Sequence, residues 1–380
     1  APSLRAMRDP ADQRSAGASM STRVIGAADV AEMLDIVGRD AFMDLMIEAL
    51  RQRFENFDSG EVEARERDGF RYAKPDLGLL EWMPTHEVSG PVVIKMVGYH
   101  PTNPVQRGLP SVIATSSMWD TTSGHLIALC DATLLTSVRT GAASAVATDV
   151  LACDGPVTLG VVGLGAQAVT QVHAVSRVRP IERVIGIDTN DEVAATFAER
   201  IGFLGLDVEI AGTNRARMIA SEVDVLTTCT SVDIGAGPVI GECSPRPWLH
   251  VNAVGADFPG KVEIPPSLLG NALVVPDTRS QCILEGECQQ IDAATIGPEL
   301  WQIVQDATGI ADRSRVTVFD STGWAVEDDA ALRLTYRLAL DYNLGTDIVL
   351  ESISSDPYDP YSPAVGVRSD RTPPPRTGAS

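Results

Sequence analysis

The run TLGVVGLGAQAVTQVHAV, Thr158 to Val175, decides the architecture of this chain. It opens as a short apolar stretch with β-branched residues, breaks at two glycines, and continues with apolar residues at helical spacing. That is a strand, a tight turn and a helix. Gly163, Gly165 and Ala168 fall in a G-x-G-x-x-A spacing at the turn. Gly163 permits the sharp reversal, Gly165 lets the backbone approach a diphosphate, and Ala168 allows the helix to pack closely on the strand. The helix N-terminus then faces the phosphates with its unpaired N–H groups. Any strand–helix turn can carry two glycines, so the spacing needs support from its context. Asp188 supplies it, because it lies 25 residues past Gly163 at the end of the next apolar run, RVIGID. A carboxylate there accepts hydrogen bonds from an adenosine ribose. No Arg or Lys follows within DTNDEV to welcome a 2′-phosphate, so the cofactor read from these residues is NAD rather than NADP.

Working outward, further apolar runs appear at VDVLTTCTS, LHVNAVGAD, ALVVPD and VTVFDS, separated by helix-length segments. Continuous apolar strands alternating with helices specify a Rossmann-type, doubly wound parallel sheet covered on both faces. Upstream, Ala27 to Leu50 reads as two short amphipathic helices. GLLEWMP, VVIKMVGYHPTNP, LPSVIATSSMWD and HLIALCD then read as strands of an antiparallel or mixed sheet. RTGAASAVATDVLA, Arg139 to Ala152, is a helix by propensity and leads into the parallel region. After Asp320, GWAVEDDAALRLTYRLAL reads as a helix that returns the chain to the first unit. The expected fold class is therefore α/β, with a second α+β substrate and dimerisation domain built from both chain ends. The expected boundaries are a disordered leader at 1–19, the first part of the substrate domain at 20–148, the NAD-binding domain at 149–322, a return segment at 323–362 and a disordered tail at 363–380.

A formal net charge of −21 argues against nucleic acid or an anionic membrane as partner, since both would repel the chain. The six cysteines include no Cys-x-x-Cys pair, which points to a reduced, cytoplasmic protein without a disulfide framework or zinc knuckle. The five histidines show no metal-ligand spacing, and no metal is expected. No stretch approaches the length of a membrane-spanning helix.

Five separated blocks, LGAQA, SVRTGAASAVA, VNAVGADFPGKVEIP, EGECQQI and VFDSTGWAVEDDAAL, together resemble the ornithine cyclodeaminase and mu-crystallin family, from Met20 to about Tyr361. LLEWMP, IKMVGYHPTNP, RGLPS, GECQQ and the DPY near the tail look most like its lysine cyclodeaminase branch. The resemblance implies a homodimer formed through the substrate domain. It places the carboxylate-binding cations on Arg71, Lys95 and Arg139, with Arg65 and Arg67 as alternatives to Arg71. It places the catalytic acidic pair on Glu81 and Asp257, with Trp82 beside Glu81 as a wall for the substrate's aliphatic chain. Cofactor contacts fall on Thr140, on Ala166 and Gln167 after the glycines, and on Lys261 as a supporting partner. The strand-end loops at Thr230 and Ser231, at Asn252, Ala253 and Val254, and at Ser321 would meet the nicotinamide.

Each of these residues also has a plainer reading. Glu81 lies among Leu79, Leu80, Trp82 and Met83, an apolar setting that raises a carboxyl pKa, yet a Glu at a strand end is usually just solvated. Asp257 follows an apolar strand at the carboxyl edge of the sheet, or else simply caps the turn before Pro259-Gly260. Lys95 inside VVIKMV either pairs with an anion or guards an edge strand. Arg139 at the start of an Ala-rich helix opposes the helix dipole unless it faces a carboxylate, and a surface position remains open.

The resemblance further implies a closed redox cycle. NAD removes a hydride from the α-carbon of a basic amino acid, the terminal amine closes a ring with loss of ammonia, and the hydride returns. Lysine would give L-pipecolate and ornithine L-proline. The alternatives on the same scaffold are a cyclic ketimine reductase, an amino-acid dehydrogenase, and a binding protein without catalysis.

Overall fold

The structure is a computed structural model, and it describes residues 20–306 and 313–362. The expected leader at 1–19 and tail at 363–380 lie outside the described residues.

The chain starts with β1 (Thr22–Ile25), α1 (Ala27–Val37) and α2 (Arg39–Glu55). Phe42, Met43, Met46, Ile47, Leu50 and Phe54 recur at three and four along α2 and are all buried, so the helix presents one apolar stripe to the core. The strands β2 (Val62–Ala64), β3 (Asp68–Tyr72), β4 (Gly78–Glu87) and β5 (Val92–Tyr99) follow. After the short α3 (Asn103–Arg107) come β6 (Val112–Trp119), β7 (Leu126–Asp131) and α4 (Thr133–Leu151). They form a mixed sheet in the order β7-β6-β5-β4-β2, with β3 also on β4 and β1 parallel to β7.

Alternation along these strands sends Met83, Lys95, Val97, Ala114 and Ser116 to one buried face. The opposite face carries Phe70, Leu80, Met96, Ile113 and Leu129, all exposed. α4 begins one and a half turns earlier than its Ala-rich core indicates, so Arg139 lies inside the helix rather than at its start. The dipole argument for Arg139 therefore falls away, because the effect is confined to the first and last turns.

The second sheet is built from β8 (Val157–Val162), α5 (Ala166–Val178), β9 (Ile181–Ile187), α6 (Asp191–Arg200), β10 (Val208–Ile210), β11 (Val225–Thr228) and β12 (His250–Ala253). It continues with α7 (Pro266–Leu269), β13 (Leu273–Pro276), α8 (Arg279–Glu285), α9 (Leu300–Gln305) and β14 (Thr317–Asp320). The strand order is β10-β9-β8-β11-β12-β14-β13, and every pairing is parallel. Order reverses beside β8, so a crevice opens above the carboxyl ends of β8 and β11. Each of the six apolar runs that read as parallel strands is in this sheet; β10, a short and half-exposed edge, is the addition.

The chain then returns through α10 (Ala325–Asp341), which packs on α2, α4 and the buried face of β4, β5 and β6, and ends in β15 (Thr346–Ile348), antiparallel to β1. Among the described residues no helix is long and apolar enough to cross a membrane.

Candidate active site

The first sheet turns its buried face toward the carboxyl edge of the second, and the site is built where they meet. Glu81 of β4 is in register with Gly69 of β3 and Val97 of β5, which aims its side chain inward with Met83 and Lys95. Burial pushes the Glu81 carboxyl above its ordinary range and the field of Asp257 adds to this, with Arg67 pulling the other way. Arg67, just before β3, is the guanidinium that enters the site. Its Nε lies 2.9 Å from Glu285 of α8 and its Nη1 3.6 Å from Glu81. It also donates to the carbonyls of Thr322 and Gly323 directly after β14. Arg71 points to the same side but is exposed, with its guanidinium 4.5 Å from the centre of the Phe258 ring. Arg65 is exposed and pairs with Glu63. Of the three arginines weighed, only Arg67 is inside.

Beneath Arg67 lies a closed group of four charges. Lys95 Nζ is 2.8 Å from Asp328, and Arg139 is 2.6 Å from Glu327 and 3.0 Å from Asp328. All four are buried. Lys95 is therefore no edge gatekeeper: β5 runs between β4 and β6, and the ammonium is inside. Burial lowers its pKa to about 8, Arg139 adding and Asp328 opposing. Burial, with Asp277 and Asp328 nearby, pushes Glu327 up against the pull of Arg139, while the guanidinium stays charged between its two carboxylates.

Across the cleft, Asp257 accepts from Lys261 Nζ at 2.8 Å, and that ammonium lies 5.7 Å from the centre of the Tyr99 ring. Burial works to lower the Lys261 pKa, and Asp257 more than offsets it. Trp82 does not share this cleft. It lies on the other face of β4, edge-on to Phe70 at 5.7 Å, because adjacent strand residues point to opposite sides. The expected wall beside Glu81 is corrected accordingly.

At the crevice above the second sheet, Gly163 has φ of +89° and a Cβ there would lie 2.8 Å from the Cys229 carbonyl, so only glycine makes this turn. A Cβ on Gly165 would meet nothing within 4 Å, which leaves open space at the N-terminus of α5. That helix has no side-chain cap, and Ala166 at its start is exposed. Gln167 turns away to the Ser137 carbonyl and Thr170. Asp188 accepts from the backbone N–H of Leu164 at 2.6 Å and of Asn190 at 2.8 Å, one on each oxygen, so each oxygen keeps acceptor capacity. Arg200 of α6 reaches the Gly165 carbonyl, so the ribose end is not free of cations as DTNDEV alone indicates.

Thr230 is fixed to Glu263 through its N–H and hydroxyl, and Ser231 is exposed beside it. Ser321, buried after β14, has a hydroxyl without a hydrogen-bond partner. Ala253 is buried, Val254 half-buried, and the Thr140 hydroxyl is tied to its own helix at Thr136. Asn252 is corrected: its amide lies under the sheet between Thr148 and His250, so its side chain serves packing. The open space at Gly165, the uncapped helix and the orphaned Ser321 hydroxyl all fit a dinucleotide. Among the described residues no cluster of His, Cys, Asp or Glu could hold a metal ion.

Glu285, Glu327, Asp328 and Asp277 had no role in the sequence reading. Glu327 and Asp328 of VEDDAAL fall in the first turn of α10, where acidic residues are favoured whatever they touch. The available signal was the need of Lys95 and Arg139, both in apolar segments, for anions.

A dinucleotide-type parallel sheet facing a cleft of buried, opposed charges defines an enzyme of small charged substrates. The chain belongs to the ornithine cyclodeaminase/mu-crystallin family, whose model matches residues 28–343. It is 42% identical to L-lysine cyclodeaminase of Streptomyces rapamycinicus over 346 residues, 90% of this chain and all of that one. Among solved structures it is similar to a lysine cyclodeaminase studied for recognition of L-lysine, L-ornithine and L-2,4-diaminobutyric acid, with a TM-score of 0.86, 42% identity and coverage of 90% and 99% of the two chains. It is also similar to an archaeal alanine dehydrogenase dimer with bound NAD, with a TM-score of 0.76, 29% identity and coverage of 87% and 100%.

Proposed function

We propose that this protein is an NAD-dependent cyclodeaminase that converts L-lysine to L-pipecolate and ammonia. The observation that carries this reading is the Arg67 guanidinium held between Glu81 and Glu285 at the carboxyl edge of the parallel sheet. It offers a cation for a substrate carboxylate and carboxylates for its amines in one cleft. The near full-length likeness to a lysine cyclodeaminase supports the choice of reaction.

Residues 149–322 are assigned to NAD, and 20–148 with 323–362 to the substrate and to dimerisation. Gly163, Gly165, Ala166 and Gln167 form the diphosphate turn and Asp188 takes the ribose. Thr140, Thr230, Ser231, Ala253, Val254 and Ser321 line the nicotinamide end. Bound NAD supplies a hydride acceptor for oxidation of the α-carbon and the donor for the closing reduction, and so is regenerated. Arg67, Lys95 and Arg139 hold the α-carboxylate, with Arg71 at the rim, so that the α-hydrogen is fixed in place. Glu81 exchanges protons at the α-nitrogen and the departing ammonia, a task suited to a carboxyl raised by burial. Asp257, steadied by Lys261, orients the terminal amine for attack on the imine carbon. The net change is loss of one ammonia and closure of a six-membered ring.

L-Ornithine giving L-proline is a second substrate reading. It is favoured by the ornithine recognition of the solved relative, and one methylene separates the two by only about 1–3 kcal/mol in a pocket. The exposed apolar face of the first sheet supports a homodimer, in keeping with the dimeric relative. Six free cysteines support a reduced, cytoplasmic setting.

Incubation with lysine or ornithine and a catalytic amount of NAD tests the reading. Ammonia and cyclic product should form in equal amounts, substrate α-deuterium should reappear in the product, and NADH should not accumulate. NADH rising in step with substrate loss would instead mark an amino-acid dehydrogenase.

A further inference from the structure

Charge in the cleft does not balance. Lys95 and Arg139 are matched by Glu327 and Asp328, and Lys261 is matched by Asp257. Asp277 is satisfied by neutral and backbone donors, from Thr278, Gly323, Thr322 and Cys282. Arg67 is the cation set against the two remaining carboxylates, Glu81 and Glu285. With Asp277 set aside as held by its own neutral donors, one negative charge is left over, and Glu285 carries its mark. Its side chain is 10% exposed, and its Oε1 lies 2.9 Å from Arg67 Nε. Yet neither of those two atoms has a hydrogen-bond partner, because the contact is close without being aligned. A buried carboxylate oxygen without a donor is costly, and the cost is removed by a ligand that brings one.

We infer that Glu285 is the specificity-determining counter-charge for the terminal ammonium of a dibasic amino acid. The inference rests on the cyclodeaminase reading and gives Glu285, which that reading only places beside Arg67 in the cleft, a ligand group of its own. A dibasic amino acid brings one carboxylate and two ammonium groups, a net charge of +1, and so cancels the surplus. Its carboxylate draws Arg67 away from the carboxylates, and its terminal ammonium replaces Arg67 at Glu285. An ammonium has three N–H donors, so it bridges Glu285 and Asp257 while Asp257 keeps Lys261. A neutral amino acid of the same length would take Arg67 and leave Glu285 unmatched. Burial, with the fields of Glu81 and Asp257, already holds the Glu285 carboxyl up at about 7, as a site awaiting a cation should.

The test is binding to the enzyme loaded with NADH, which cannot oxidise substrate. L-Lysine is compared with L-norleucine, its analogue without the terminal amine. The wild-type enzyme should prefer lysine. Glu285→Gln should weaken lysine about tenfold or more, the scale of a lost charge-assisted hydrogen bond, and leave norleucine within about twofold. In turnover its KM for lysine should rise more than its kcat falls. Glu285→Asp, which keeps the charge with a shorter reach, should lose several-fold for lysine alone, and it decides the matter should the Gln variant not fold. Equal weakening of both ligands would show that Glu285 only supports Arg67, and unchanged lysine binding would remove it from the site; either overturns the inference. A wild-type enzyme that prefers lysine through Glu285 but releases no ammonia from it would sink the cyclodeaminase reading while leaving this one standing.

Discussion

Glu81 and Glu285 share Arg67 but differ in what their loss should do. Glu81→Gln removes a proton acceptor at the reacting nitrogen, so kcat should fall by roughly 10²–10⁴-fold with NAD affinity unchanged, and steady-state kinetics beside a cofactor titration would check this. Lost NAD binding would mean that Glu81 acts structurally. For Glu285 burial holds the folded pKa at about 7, above the ordinary glutamate value of 4.5. Folding therefore takes up a proton between those values, and the stability this contributes is present below about 4.5 and lost as pH rises through about 7. Since Gln mimics the neutral acid, the denaturation midpoint of Glu285→Gln relative to wild type should move in the variant's favour from pH 5 to pH 8; a constant difference would contradict the raised pKa. Residue types proved easier to read than residue orientation. Lys95 and Arg139 announced a need for anions, but which acids answered depended on α10, more than 180 residues further on. Arg67 and Arg71 are four residues apart with the same chemistry, and only the placement of β3 against β4 distinguishes them. Trp82 could have been read correctly, since strand alternation alone puts it opposite Glu81.

The turn from β8 into α5 separates two meanings of glycine. Gly163 is required by the protein itself, through its positive φ and the nearby Cys229 carbonyl. Gly163→Ala should therefore destabilise the apo protein by about 1–2 kcal/mol or more, read as a lower melting temperature. Gly165 has φ of −69° and open space around it, so alanine fits the apo fold. Gly165→Ala should leave the melting temperature unchanged while weakening NAD, because its methyl occupies the space a diphosphate needs. Equal NAD affinity in that variant would move the diphosphate away from this helix. Both glycines and the following helix were legible because local rules fix them. The parallel strands were legible for a related reason: burial on both faces leaves continuous apolar runs. β10 was not, since an edge strand of three residues with half-exposed side chains leaves no such run. β15 was not either, because its exposed residues pair with β1 over 320 residues away.

At the scale of the whole molecule, a sheet face that carries several large apolar side chains in water is a surface that gains by being covered. α10 and α4 cover the inner face of the first sheet. Phe70, Leu80, Met96 and Ile113 stand out on the other face across β3, β4, β5 and β6, with Trp82 among them. Large apolar patches of this kind mark interfaces, and the homodimer proposed above would set this patch against its own equivalent in a two-fold arrangement. Each large apolar side chain so covered is worth roughly 1.5–3 kcal/mol before the cost of association. Met96→Lys places a charge at the middle of this face without touching the inner core, since Met96 and the buried Val97 point opposite ways. The variant should fold, sediment as a monomer where the wild type sediments as a dimer, and melt at a lower temperature because association no longer favours the folded state. The wild-type melting temperature should also rise with protein concentration, and that of Met96→Lys should not. A wild-type monomer at micromolar concentration, or a Met96→Lys variant that still dimerises, would show that this face is not where two copies meet.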